Sequence, residues 1–282
     1  MKGNHPWKNR PLPSDHGLAF DAFPTSNRGR CAGSGRAASP GKVTMLAGHP
    51  GLGKSQLALA IVSIVTTGGR FPVNGARAEC GSAVILSAED DAEDTIRPRL
   101  DAVGADLARC RVVGAVHDRD DTGRDHMRGF SVVDDMPRLA TALAEIGDAV
   151  LVIVDPITAY LGATDSHRNA EVRSALTPLT HLAAEHRVAV LAISHLRKSL
   201  EGEAIPRVSG SLAFVAAARA AYVVTRDPAN ENRRWQIVLV STVDTRFQGK
   251  VVQTFAIERY RPVLRAVKGQ PGPALPDDDI PF

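Results

Sequence analysis

Aromatic side chains make up only 5% of this 282-residue chain, and cysteine occurs three times. Cys31, Cys80 and Cys110 are scattered, odd in number and without metal-site spacing. They are expected to be reduced thiols of a cytosolic protein, not a disulfide framework. No apolar run approaches the ~18 residues that a membrane span needs. The N-terminus is polar and Pro-rich, without the apolar stretch of a signal peptide. The expectation is a soluble, cytoplasmic protein with no membrane partner. Charge of one sign is also lacking. With 34 basic and 31 acidic residues the net charge is +3, so no global field points to nucleic acid, and any DNA contact must come from local loops. No internal repeat and no heptad array is found.

What is present is alternation. Apolar β-branched runs at Val43–Ala47, Ala83–Ser87, Val112–Val113, Ala149–Val154, Val188–Ile193, Ala221–Thr225, Trp235–Val240 and Val252–Ile257 read as strands. Helical patterns lie between them at Ser55–Thr67, Ala92–Val103, Met136–Glu145, Glu171–Glu185 and Ser211–Arg219. That order predicts an α/β fold with a mostly parallel sheet and helices on both faces. The runs at 149–154 and 188–193 are apolar on both faces and should be central. The last runs alternate apolar with polar, as edge or antiparallel strands do. Leu57, Ile61 and Ile64 should mark the buried face of the first helix. Residues 1–40 are expected to be a mostly irregular arm, 41–265 the folded domain, and 266–282 a flexible acidic tail.

The densest chemistry sits after the first strand. Gly48-His49-Pro50-Gly51-Leu52-Gly53-Lys54-Ser55 contains the spacing G-x-x-x-x-G-K-[ST], followed by Gln56 and a helix. Glycines let backbone N–H groups turn toward an anion, and the helix start points its positive dipole end at the same place. Gly48, Pro50, Gly51, Leu52, Gly53, Lys54, Ser55 and Gln56 are therefore candidate nucleotide contacts. Lys54 would reach the β- and γ-phosphates, and Ser55 would ligate Mg²⁺. The plain alternative is a Gly-rich turn that happens to carry Lys-Ser.

Two carboxylates stand at strand ends. Leu151-Val152-Ile153-Val154-Asp155 ends in one that would sit beside Mg²⁺, making Asp155 a nucleotide-side and metal-side candidate. Its alternative is a strand-end Asp capping a turn. Pro156 follows where a second acid could stand, so the general base must come from elsewhere. Glu89 in Ser87-Ala88-Glu89-Asp90-Asp91 supplies it. Asp90, Asp91, Glu93 and Asp94 read more simply as an acidic helix start. His195 ends the strand Val190–Ser194. It is either a structural histidine or, at the carboxyl end of a central parallel strand, a group that senses the γ-phosphate.

These residues, in this order, resemble the RecA-like ATPases of the AAA kind, and among them the RepA-type hexameric replicative helicases of plasmids and mobile elements. The resemblance spans roughly 40–260. It rests on the phosphate loop, on Ile85–Asp91, on Val154-Asp155-Pro156-Ile157-Thr158-Ala159-Tyr160-Leu161, on Ser194–Ser199 and on Arg207-Val208-Ser209-Gly210-Ser211. It implies ATP and Mg²⁺ as cofactors, hydrolysis by Glu89 with His195 as sensor, and a homo-oligomeric ring, a hexamer, with ATP between subunits. It also implies an arginine finger on the helix after Gly210-Ser211, which makes Arg219 the third catalytic candidate. The alternative for Arg219 is a helix-end cation answering the dipole.

Single-stranded DNA would pass through the ring, past loops at about 117–130 and 197–210. Arg124, Arg128, Lys198 and Arg207 are the candidate DNA contacts there. Apart from Phe130 these loops hold no aromatic stacking row, and ordinary solvated loops remain the alternative. Two departures stand out. Ser241-Thr242-Val243-Asp244-Thr245-Arg246 replaces the Lys-Asn pair that the family places after its late strand, and Cys31–Ser39 is looser than the usual lead-in.

The chain ends Asp277-Asp278-Asp279-Ile280-Pro281-Phe282, which looks like the tip of bacterial single-stranded-DNA-binding proteins. A terminal ring and carboxylate behind three aspartates suit a pocket with a basic rim on a replication or repair protein. A solubilising tail, or one that folds back on its own ring, are the other readings. The function expected is an ATP-driven motor on single-stranded DNA, a ring helicase. An accessory loader or remodeller, or a nucleotide-gated binding module, is the alternative.

Overall fold

The structure is a computed structural model, and it describes residues 18–22, 40–71, 75–119, 122–162, 169–195, 214, 218–226, 234–242, 251–258 and 261–265. The expected parallel sheet is its centre. Six strands run parallel in the spatial order β4 (Cys110–Arg119), β3 (Ser82–Ser87), β6 (Ala149–Asp155), β7 (Ala189–His195), β2 (Val43–Gly48) and β8 (Ala220–Arg226). β6 and β7 lie in the middle, each between parallel neighbours. Beyond β8 the sheet turns antiparallel through β9 (Arg234–Thr242), β10 (Val251–Glu258) and β11 (Arg261–Arg265). The sequence alternation had marked this change for β9 and β10, while β11 was not foreseen.

Each parallel strand is apolar on both faces because each face meets helices. Along β6, Leu151 and Ile153 pack with α1 (Lys54–Thr67) and α2 (Arg97–Val103), while Val152 and Val154 pack with α3 (Met136–Ile146) and α4 (Asn169–His186). The two-residue period of the strand assigns alternate side chains to two separate cores. α1 buries Leu57, Ala58, Ile61, Val62 and Val65. Ile64, expected on that face, is only partly buried, and Val62 and Val65 take its place. The helix ends where Gly68 adopts φ 63° and its N–H returns to Ile64 and Val65 carbonyls, a left-handed stop that costs glycine little.

Within the stretch 1–40, expected to be mostly irregular, β1 (Leu18–Ala22) pairs antiparallel with β4 and extends the sheet ahead of residue 41. Two expectations change. The stretch at 117–130, expected as a mobile loop, carries β5 (Asp125–Arg128) folded back on β4 as a hairpin. Cys80 is disulfide-bonded, against the expectation of three reduced thiols, whereas Cys110 is a free, buried thiol. The helix expected at Ser211–Arg219 falls mostly outside the described residues. Arg219 itself lies in a bend one residue before β8, not on a helix. No helix among the described residues is long and apolar enough to cross a membrane.

Candidate nucleotide site

Parallel strands present their carboxyl ends along one edge of a sheet, and ligands of open α/β sheets bind there. In this chain that edge gathers four chemical groups. Register pairs Ser87 with Asp155 and Gly48 with His195. The phosphate loop, Glu89, Asp155 and His195 therefore leave neighbouring strands together.

The loop after β2 is shaped by glycine. Gly51 and Gly53 take φ of 77° and 76°, in the left-handed region where a Cβ is costly. Gly53 is the N-cap of α1. Gly48 serves another purpose, since a Cβ on it would sit 2.9 Å from the Val224 carbonyl oxygen and 3.4 Å from the Lys54 side chain. α1 carries no acidic residue in its first turn, which leaves its positive dipole end open to an external anion.

Lys54 is 5% exposed. Its Nζ donates to the His49 carbonyl oxygen at 3.1 Å and faces His195 Nδ1 at 3.4 Å. Burial lowers its pKa, against the pull of Asp155 and Glu89. On the far side of the imidazole, His195 Nε2 lies 3.3 Å from Glu89 Oε1. Lys54, His195 and Glu89 thus form one line of contacts. Glu89 is exposed, with 59% of its side chain open to solvent.

Asp155 is buried, and burial raises its pKa. The hydrogen bond from Ser55 opposes that rise, and the Glu89 charge adds to it. A carboxylate kept from water, touching a hydroxyl at a helix start, gains from a cation beside it. Among the described residues no cluster of three or more His, Cys, Asp or Glu is arranged as a metal cage. Mg²⁺ needs none when it shares phosphate oxygens and waters with one or two protein oxygens. Ser55 and Asp155 fit that role.

The acids beyond Glu89 have other work. Asp90 pairs with Arg99 at 2.6 Å, and Asp91 caps the π turn at 92–96 by accepting from Glu93 and Asp94 N–H groups. Sequence reading missed the His49 carbonyl and Arg99, neither of which carries a motif. It also gave no role to Tyr160, whose pKa is pushed up by burial and then by the charge of the nearby Asp155.

The other candidates lie apart. The Arg219 N–H donates to the Val43 carbonyl oxygen at 2.8 Å. Val43 begins β2, and the phosphate loop leaves its other end, about 16 Å away at ~3.3 Å per residue. Arg219 is therefore at the sheet edge opposite its own loop. Arg128, a candidate DNA contact, is already engaged within the fold. Its guanidinium donates to both oxygens of Asp135, at 2.6 and 2.8 Å, and to Asp118 at 2.9 Å. Asp135 is 1% exposed, so these bonds tie the hairpin to the start of α3. Arg124 is exposed near the hairpin turn. Gln56 lies in the first turn of α1, and Leu52 is a buried residue of the loop itself. Lys198, Arg207 and the tip Asp277–Phe282 lie outside the described residues, as does the segment after Thr242 that lacks the Lys-Asn pair.

A family model described as an AAA domain matches residues 19–201. No curated protein matches the chain. Among solved structures, the chain is similar to the KaiC-like protein PH0186 from the hyperthermophilic archaeon Pyrococcus horikoshii OT3. The TM-score is 0.55 at 16% identity, over 80% of this chain and 90% of that one. At that identity the likeness concerns the fold, which is the RecA-like P-loop fold.

Proposed function

The chain belongs to the AAA-domain family, and from that premise we propose that it is an ATP-hydrolysing motor on single-stranded DNA, a ring helicase serving replication of a plasmid, phage or other mobile element. The observation that carries hydrolysis is the line from Lys54 through His195 to Glu89, set beside buried Asp155. In this reading the loop N–H groups and Lys54 hold the β- and γ-phosphates. Ser55 and Asp155 hold Mg²⁺, which when bound neutralises charge on the phosphate oxygens. Glu89 takes the proton of the attacking water, and His195 keeps its carboxylate aimed at the crevice. Arg219, too far from its own loop, acts on the site of a neighbour, where a guanidinium stabilises charge on the transferring group. This requires a homo-oligomer, taken as a hexamer.

The DNA part rests on the motif resemblance and on the acidic tip Asp277–Phe282, which would dock a replication or repair protein. Arg124, Arg128, Lys198 and Arg207 are its candidate phosphate contacts, with Arg128 also paired to Asp135 and Asp118 within the fold. The second reading, an accessory loader or remodeller without unwinding, is favoured by the missing Lys-Asn pair at Ser241–Arg246. ATPase rate with and without single-stranded DNA separates a DNA motor from a nucleotide-gated module. A rate unchanged by DNA would sink the motor. Strand displacement then separates helicase from loader.

A further inference from the structure

Tyr160 closes the short turn Ile157–Tyr160 that leaves the end of β6 directly after Asp155 and Pro156. Its place is fixed from two sides. The Tyr160 carbonyl oxygen accepts from the Val132 N–H at 2.8 Å, and the ring stands edge to face with Phe130, centroids 6.1 Å apart. The residue is 6% exposed. Backbone and ring are thus accounted for, and the hydroxyl is not. Among the described residues it has no hydrogen-bond partner. A buried O–H without a partner costs free energy, and in a native fold it calls for a water, an ion or a ligand that completes it. A Phe here would fill the same space without that cost.

The charge that this phenol feels is that of Asp155. Asp155 is itself buried, and Ser55 gives it a side-chain hydrogen bond. Burial and the carboxylate both oppose ionisation of the phenol, so it is a donor beside an acceptor. No direct bond joins them. A water with partners on both sides is the usual link between such groups. We propose that Tyr160 is a positioning residue for the metal-side carboxylate: its hydroxyl holds Asp155 through a bound water and keeps that carboxylate turned toward Ser55 and the place of Mg²⁺. The inference rests on the nucleotide-site reading above and deepens it.

The chemistry of the hydroxyl suits this place. Glu89 and Asp90 repel the Asp155 charge, and Lys54 attracts it. In the nucleotide-bound site Lys54 is engaged with phosphates, so it is a poor permanent anchor for the carboxylate. Ser55 is shared in the same way, because its oxygen also serves the metal. Tyr160 has neither duty. As a neutral donor it fixes the carboxylate without neutralising it, which leaves the full negative charge for the cation. An Arg or Lys at the same point would spend that charge. Partners of this kind, one step behind a metal ligand, set its orientation and thereby the affinity of the site.

The test is Mg²⁺ titration of the full chain in the presence of a fluorescent, non-hydrolysable ATP analogue, comparing wild type with Tyr160→Phe. The analogue's own affinity for Mg²⁺ is common to both proteins and cancels in their ratio. The variant is expected to need roughly tenfold more Mg²⁺ for half-maximal binding, the lower end of what the loss of such a partner costs. With EDTA in place of Mg²⁺ the two proteins should be indistinguishable, because the hydroxyl acts on the carboxylate and not on the phosphates. An equal Mg²⁺ requirement would overturn the proposal and leave Tyr160 as a packing residue. A loss of binding as large in EDTA as in Mg²⁺ would overturn it too. So would a variant that no longer folds, since the hydroxyl would then serve the fold. Wild type that binds no analogue at any Mg²⁺ concentration would instead refute the nucleotide-site reading.

Discussion

Truncating Arg128 to Ala removes a guanidinium that holds both oxygens of Asp135 and one of Asp118. What remains is a carboxylate 1% exposed, still bonded to the Ser131 N–H at 2.9 Å and to Arg138 at 2.9 Å. Breaking a buried pair by removing one partner costs about 3–5 kcal/mol when nothing replaces it. Here Arg138 keeps part of the compensation, and Arg128 itself is 32% exposed, so solvent screens its share. The expected loss is about 2–3 kcal/mol, a large part of a stability of order 5–15 kcal/mol. Urea unfolding should show a lower midpoint at unchanged slope. A double-mutant cycle with Asp135→Ala should show strong coupling. Single-stranded DNA affinity and its salt dependence should not change under conditions where the variant is folded. An unchanged midpoint together with a flatter salt slope for DNA would refute the reasoning and return Arg128 to the DNA interface. The pH dependence has a definite sign. Burial raises the pKa of Asp135, but its hydrogen bonds from Arg128 and Ser131 and the charges of Arg128 and Arg138 outweigh that and hold it below the ordinary carboxylate value. The contribution is therefore present above the unfolded range near about pH 4, and is lost as pH falls through the lower folded value. Arg128→Ala should flatten that acid limb.

Three more outcomes follow from the site and core. Glu89→Gln should cut turnover by about 10²–10⁴ while leaving ATP binding intact, read by single-turnover hydrolysis beside equilibrium binding; full activity would show that another group takes the proton. Gly48→Ala should lower stability by about 1–3 kcal/mol and weaken nucleotide binding, because the new Cβ meets the Val224 carbonyl oxygen at 2.9 Å and crowds Lys54. An unchanged melting temperature would contradict that packing. Burial and the Asp106 charge push the Cys110 thiol up to about 12, so iodoacetamide at about pH 8 should leave it unmodified in the native chain and label it after unfolding. Mass spectrometry of the Cys110 peptide distinguishes the two.

The sequence by itself determined everything that depends on local spacing. The Gly-Lys-Ser turn, the strand-end positions of Asp155 and His195, and the two-faced apolar strands β6 and β7 are all written within a few residues of one another. Periodicity fixes which side chains share a face, so most parallel strands and four helices were legible. Pairings over long separations were not. Glu89 and His195 lie 106 residues apart, and Lys54 and His195 lie 141 apart. Sequence reading could give each a role but could not show that one ring bridges the other two. Only strand order, with β7 between β6 and β2, brings them within hydrogen-bond reach. The same holds for Arg128. In the sequence it is a basic residue in a polar stretch, and in the fold it is a clamp, because β5 turns back on β4 and meets the buried Asp135. β1 escaped notice because a five-residue strand flanked by Pro, Gly and Ser has little pattern of its own, and it exists only as a partner of the β4 edge. Charge and composition propose what a side chain can bind, and tertiary contacts decide whether that capacity is already used.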